Sequence, residues 1–402
     1  MPIDAHFLRV RLRPLRSVLT AAALVALSGA AFAEPEFVKT VKPGPGVYEL
    51  VFSGPMNRVY VASAGTRGST EAKILALDPV TLETKETIDL GAEAAFGLGV
   101  NNKTKTLYGT QTRLGTVAAI DLTTGKIVAT IAKGEKPHVR EAVVDEVANR
   151  VYVTVMGRKD DSSIWIIDGA TNKLVDSVDN LPGGVTGLAI DTKGNRLFAS
   201  ALKGNQVHII DLATKAVTKS FASGGDGAIN LAYDADGDQL FVAHQGSGEV
   251  VVLDAKDGTV VKKIPTGDGA LGIGLDAKRG IVYVANRRAG FVTLIDTKTL
   301  EPIANIVTGS MPQTVALDPE TGNAYVTNKA KTGGRPRPPA GAAAPAGAAA
   351  APGAPPTLPV AATPVAAAPA GAPPTGAPPA GQRPKPVPMI DPYGDTVTLI
   401  KP

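Results

Sequence analysis

Few residues in this chain of 402 are of a type that does chemistry on its own: there are four His and no Cys. Without Cys there is neither a disulfide nor a thiolate to act as nucleophile or metal ligand. His6 lies in the N-terminal leader, and His138, His208 and His244 form no ligand-spaced cluster, so no metal and no cofactor are expected. Asp234-Ala235-Asp236-Gly237-Asp238 begins like a calcium loop. Its sixth position is Gln239 instead of Gly and its twelfth is Gln245 instead of Glu, so it reads as a hairpin turn. Gly246-Ser247-Gly248 lacks the outer glycine of a nucleophile elbow, Gln245 standing in its place, and no phosphate-binding loop or dinucleotide fingerprint is present. These patterns give nucleophilic catalysis no support, and the expectation is that the protein is not an enzyme.

The elements that would position any site are repetitive. An aromatic residue recurs every 42 to 48 residues, at Tyr60, Tyr108, Tyr152, Phe198, Phe241, Tyr283 and Tyr325, each followed by small or β-branched residues. A period of this size built from short strands points to propeller blades. Each copy has four parts. A first apolar stretch such as Thr314-Val315-Ala316-Leu317 ends at Asp318 and a tight turn, Pro319 to Gly322. The second, such as Ile281-Val282-Tyr283-Val284, has the β-branched and aromatic composition of a buried strand. The third closes on Asp78, Asp121, Asp168, Asp211, Asp254 or Asp296, and a fourth follows a turn, as at Gly258 to Ile264. The fold class is therefore all-β, a seven-bladed propeller of four-stranded antiparallel blades.

Closure can be read from the ends. The seventh copy reaches its third strand, Thr396 to Ile400, and then only Lys401-Pro402 remain. Phe37-Val38-Lys39-Thr40-Val41 resembles the fourth-strand segment Lys126 to Ile131, so the N-terminal strand is expected to complete the last blade and remove its open edge. A closed ring has no sheet edge that demands a mate, and a monomer is expected.

Residues 1–33 read as a secretory signal: Arg9, Arg11, Arg13 and Arg16, an apolar run from Val18 to Leu27, then Ala31-Phe32-Ala33. No second apolar run is long enough to span a bilayer, so a periplasmic, membrane-free mature chain, residues 34–402, is expected. The chain carries +4; the leader accounts for +3 and a segment at 331–388 for five further cations, which leaves the propeller body at about −4. That segment interrupts the seventh blade and is almost entirely Ala, Pro and Gly, too poor in side chains to build a core. It reads either as a tolerated spacer or as an extended arm, cationic at its roots, for an anionic cell-envelope polymer or lipid headgroup.

Tyr325-Val326-Thr327-Asn328, Tyr283-Val284-Ala285-Asn286 and the recurrent Ile-Asp closing the third strands resemble the YncE-like, YVTN-repeat family of propellers. The resemblance covers 34–402 apart from the insertion, and the chain departs from the pattern at Lys401, where the usual Asp is absent. It implies a secreted seven-bladed propeller with a binding or accessory role, DNA binding being among the family's associations.

In a propeller the loop between second and third strands and the loop linking blades open on one face around the channel. That face collects Arg67, Arg113, Lys136, His138, Arg140, Arg158, Lys159, Lys203, His244, Asn286, Arg287, Arg288, Asn328 and Lys329, whereas most of the Asp fall on the opposite face. Arg113, His138, Arg140, His244, Asn286, Arg287 and Asn328 are the candidate ligand-binding residues. His138 and His244 read as ligand contacts or as ordinary hydrogen-bonded residues, and His208 as a packed residue between blades.

Three functions follow. A binding or scaffold protein taking a protein or a small anionic ligand leads. Single-stranded nucleic-acid binding is permitted by the basic face, but seven of the aromatic residues fill the buried strand column, which leaves few for base stacking. A lactonase-like hydrolase with a channel metal would draw on Glu141, Asn230, Asn286 and Asn328.

Overall fold

A strand that is apolar at consecutive positions must be covered on both faces, which a single sheet on a core cannot do but stacked sheets can. The computed structural model describes residues 35–66, 69–157, 161–331 and 391–402. The expected leader at 1–33, the expected insertion beyond Lys331, and Arg67, Arg158 and Lys159 lie outside the described residues. Among the described residues, 28 strands, β1 to β28 in chain order, form seven four-stranded antiparallel sheets and no helix.

The innermost strands are β2 (Val47–Ser53), β6 (Gly97–Asn101), β10 (His138–Asp145), β14 (Val185–Asp191), β18 (Ala228–Asp234), β22 (Ala270–Asp276) and β26 (Pro312–Leu317). Each neighbours the next, and β26 returns to β2, so the sheets form a ring. Next to β26 lie β27 (Ala324–Asn328), then β28 (Thr396–Lys401), then β1 (Glu36–Val41). The N-terminal strand does complete the seventh blade. It pairs Phe37 with Ile400 and Val41 with Val397, and the hydroxyls of Thr40 and Thr398 meet at 2.7 Å.

The core lies between blades. Tyr325, Val397 and Leu399 of the last blade pack on Val59, Val61 and Leu75 of the first, and similar clusters recur around the ring. The second and third strands are buried almost throughout, whereas outer strands such as β9 (Lys126–Ala132) face solvent. All seven aromatic residues of the repeat are buried. Tyr108 Oη donates to Asn172 Oδ1 at 2.6 Å and Tyr325 Oη to the Pro79 carbonyl at 3.1 Å, each reaching a turn of the following blade. Burial pushes the Tyr60, Tyr108, Tyr152 and Tyr325 phenols up to about 12, so they remain protonated donors.

The hydroxyl two residues after the aromatic is a bolt between blades. Thr110 Oγ1 donates to the Arg140 carbonyl (2.6 Å), Thr154 Oγ1 to that of Thr186 (2.9 Å), Ser200 Oγ to that of Ile229 (2.9 Å) and Thr327 Oγ1 to that of Tyr48 (2.6 Å). Every acceptor lies on the next blade's inner strand, where a bulge breaks the ladder and frees a carbonyl. A buried carbonyl without a partner would cost about 1–3 kcal/mol, and the repeat supplies one from the neighbouring sheet.

Candidate functional site

The bulges that consume those bolts also aim side chains into the channel. In β2 the register shifts between Val47 and Leu50, which turns Tyr48 and Glu49 inward; in β10 it shifts between Val139 and Ala142, which does the same for Arg140 and Glu141. Four residues before the turn that ends each inner strand stand Glu49, Gly97, Glu141, Gly187, Asn230, Gly272 and Thr314, one per blade. Glycine alternates with a polar residue for a steric reason. A Cβ at Gly97 would collide with the Arg140 carbonyl, one at Gly272 with the Gln313 carbonyl, and one at Gly187 would stand 2.6 Å from the Ile229 carbonyl. The glycines let the next strand close in while its polar neighbour takes the space.

The result is a cavity of about 330 Å³ at the mouth of the hub. Glu49 and Glu141 form part of its wall and retain some access to water, but protein crowds both. The two carboxyls stand close enough for each to shift the other, and the Leu98 backbone N–H favours the ionised form of Glu49. Burial raises both: Glu49 goes well above the ordinary carboxylate range, helped by the charge of Glu141, and Glu141 rises to about 7 against the pull of the Arg140 guanidinium. Two carboxyls in contact cannot both ionise cheaply, so the pair holds a shared proton near neutrality.

Above them the sign reverses. Arg140 precedes Glu141, and Arg113, Arg287 and Lys329 enter from loops between second and third strands. Among the described residues none of these four cations makes an ion pair within 4.0 Å. Arg140 and Arg287 are lowered, chiefly by burial; Glu141 and Glu49 oppose this at Arg140, and the like charges of Arg288 and then Arg140 add to it at Arg287. The Arg287 Nε is buried without a hydrogen-bond partner, and so is Oε1 of Gln313, which also lines the cavity. One wall is a chain of cations and rings. The Arg113 guanidinium sits 5.3 Å from the Phe96 centroid, Phe96 meets Tyr48 edge-on at 4.7 Å, and Lys329 Nζ sits 3.3 Å from the Tyr48 centroid. His138, exposed at the start of β10, is lowered by partial burial and by Arg140, which favours its neutral form.

Of the candidates from sequence, Arg113, His138, Arg140 and Arg287 line this cavity. His244, Asn286 and Asn328 do not; all three are fully buried inside blades. His244 Nε2 meets Ser223 Oγ at 2.9 Å and its Nδ1 the Val242 carbonyl at 3.0 Å. Asn286 Nδ2 donates to Thr293 Oγ1 at 2.8 Å, and Asn328 Nδ2 to Thr396 Oγ1 and Thr398 Oγ1 at 3.1 and 2.9 Å. This column, which includes the last residue of the repeat phrase, pins the second strand to the third and to the loop entering the blade. It offers nothing to a ligand in the cavity. His208 is buried between Ser220 Oγ and the Pro182 carbonyl. On the rim, Arg288 is held by Asp268 at 2.7 Å. Glu49, Tyr48, Phe96 and Gln313 were missed as site residues. The signal for Glu49 was present, because aligning the repeats on Ser53 and Asp145 sets it level with Glu141.

These features define a closed seven-bladed β-propeller with a charged, ligand-sized cavity at one mouth of its channel. Residues 147–332 match the family model described as YNCE-like beta-propeller, so the chain is similar to that family over nearly half its length. It is 33% identical over 211 residues to the uncharacterized protein YncE of Escherichia coli O157:H7, a stretch covering 50% of this chain and 58% of that protein. A YncE of Salmonella typhi is 31% identical over 208 residues, covering 50% and 57%. The match therefore spans little more than half the length of these relatives. A solved chain of the Kuenenia stuttgartiensis hydrazine synthase superposes with a TM-score of 0.60 at 18% identity, covering 72% of this chain and 94% of its own, a likeness of fold alone.

Proposed function

We propose that this chain is an exported, non-enzymatic binding propeller that takes an anionic ligand, free or displayed by a partner protein, in the mouth of its hub. The observation that carries the reading is the set of Arg113, Arg140, Arg287 and Lys329 around one cavity, four cations against the two carboxyls of Glu49 and Glu141, with none of the four in an ion pair within 4.0 Å among the described residues. Guanidinium groups stay charged under all ordinary conditions, so crowding the half-buried Arg140 and Arg287 into one cavity is costly unless negative charge completes them. The leader-like N-terminus supports export to the periplasm. The ionisable groups of the cavity form a complement of charges, a binding arrangement rather than a nucleophile beside its base.

Single-stranded nucleic acid fits less well, because the cavity's two rings are already engaged by Arg113 and Lys329 and by each other. The test is calorimetry of the mature chain with succinate, inorganic phosphate and a single-stranded oligonucleotide, repeated on Arg140→Gln and Arg287→Gln. The expected result is that small-anion binding weakens at least about tenfold in either variant. Tight oligonucleotide binding that falls steeply with salt and ignores both substitutions would overturn the reading.

A further inference from the structure

The cavity is polarised along its depth, and a simple anion uses only its upper half. Entering from the top, a ligand meets His138, then the guanidiniums of Arg140 and Arg287 with Arg113 and Lys329 beside them, and one residue further down β10 it meets the Glu49–Glu141 pair with Asn230 and Thr314. The buried atoms without partners have the same duality: Arg287 Nε needs an acceptor and Gln313 Oε1 needs a donor. An anion alone would satisfy the first and be repelled by the floor. A cation alone would be repelled at the entrance. A neutral polyol would leave the guanidiniums uncompensated.

We propose that the ligand is a small zwitterion of amino-acid or dipeptide size, with its ammonium on Glu49, Glu141 and Gln313 and its carboxylate between Arg140 and Arg287. This deepens the anion-binding reading and rests on it. The 330 Å³ cavity lies at the small end of ligand sites and suits such a molecule. Leu271 adds apolar surface to the lining.

The floor gives the proposal a signature. An ammonium favours the ionised form of both carboxyls, so its arrival expels the proton they share, and that proton appears in the buffer. Of the charged and titratable groups that share the cavity, Arg140 acts on the pair directly, and Arg113, His138, Arg287 and Lys329 complete the lining. The arginines do not titrate in this range, and His138 is lowered towards its neutral form, so the released proton reports on the glutamates. Affinity should therefore rise as pH increases through about 7, the value for Glu141.

Calorimetry in two buffers of different ionisation enthalpy tests this on the mature chain, with L-glutamate and alanyl-glutamate as zwitterions and N-acetyl-glutamate and glutarate as anions lacking the ammonium. The expected result is proton release for at least one zwitterion, with its acetylated counterpart at least about tenfold weaker. Glu49→Gln should abolish the release, and a thermal melt checks that the variant is folded. Equal binding of the acetylated and free forms without proton release overturns the zwitterion and leaves the anion reading standing. Indifference of every probe to Arg140→Gln overturns both.

Discussion

The two ends of this propeller use carboxylates in opposite ways. At the rim away from the cavity, third strands end on Asp residues whose Oδ1 is bonded by the turn that follows, and Asp168 Oδ2 also pairs with Arg150 at 2.6 Å. Asp168 Oδ1 accepts from the Ala170 and Thr171 backbone N–H groups at 3.1 and 2.9 Å and from the Thr171 hydroxyl at 2.9 Å, and Asp211 Oδ1 accepts from Thr214 N–H and hydroxyl at 2.7 and 2.8 Å. Those bonds hold Asp78, Asp168 and Asp211 below the usual carboxylate range, led in each case by a backbone N–H. At the hub, Glu49 and Glu141 have each other and the Arg140 guanidinium, and burial still drives both up. A satisfied carboxylate is architecture; an unsatisfied one beneath unpaired cations is a vacancy for something else.

The largest expected effect tests whether the hub geometry is as tight as the glycines indicate. Gly97→Val forces a side chain into the Arg140 carbonyl and should cost about 3 kcal/mol in denaturant unfolding, because the obstacle is backbone and cannot swing away. A loss under about 1 kcal/mol would mean that the inner strands slide freely, and the aimed bulges would lose their explanation.

The sharpest contrast between the ends is pH. Glu141 is raised in the folded state, so its contribution is fully present below the ordinary value of 4.5 and is lost as pH climbs through about 7. Glu141→Gln should therefore leave stability nearly unchanged at low pH and raise it at pH 8 by about 1–2 kcal/mol, allowing for the partial access of water. The rim aspartates run the other way. Their folded values are depressed, so their contribution holds above the ordinary value of 3.8 and fades as pH falls through the folded value. Melting curves across this range that show no loss on the alkaline side would dissolve the distinction.

Thr327→Val probes the bolt that closes the ring from the other side. Losing its bond to the Tyr48 carbonyl should cost about 1.5 kcal/mol and loosen the strand that carries Glu49, visible as faster amide exchange along β2. Asp168→Ala is the smallest perturbation. It should cost about 1 kcal/mol and leave calorimetric binding at the hub untouched; altered binding would show that the two ends are coupled.

Much of the architecture was legible because each blade repeats the same local instructions. The aromatic column, the Asp turns and the closing partner for Thr396–Lys401 all follow from alternation, turn chemistry and an unpaired last strand, which neighbouring residues reveal. The site was legible in part. Arg113, His138, Arg140 and Arg287 could be assigned to the right face from loop order, and they meet in one cavity. His244, Asn286 and Asn328 lie in the same stretch of the repeat and point elsewhere, because the second strand presents that residue to its own third strand.

By itself, then, the order of residues determined the number of sheets and the end that carries the cations, since these rest on a pattern repeated about every 45 residues. Only the closed ring decided which charges meet. Glu49 and Glu141 stand 92 positions apart in the chain, with a whole blade between theirs, and they line one cavity because glycine at Gly97 leaves room for the Arg140 carbonyl to close in. Convergence is a property of seven units together, and no single repeat contains it.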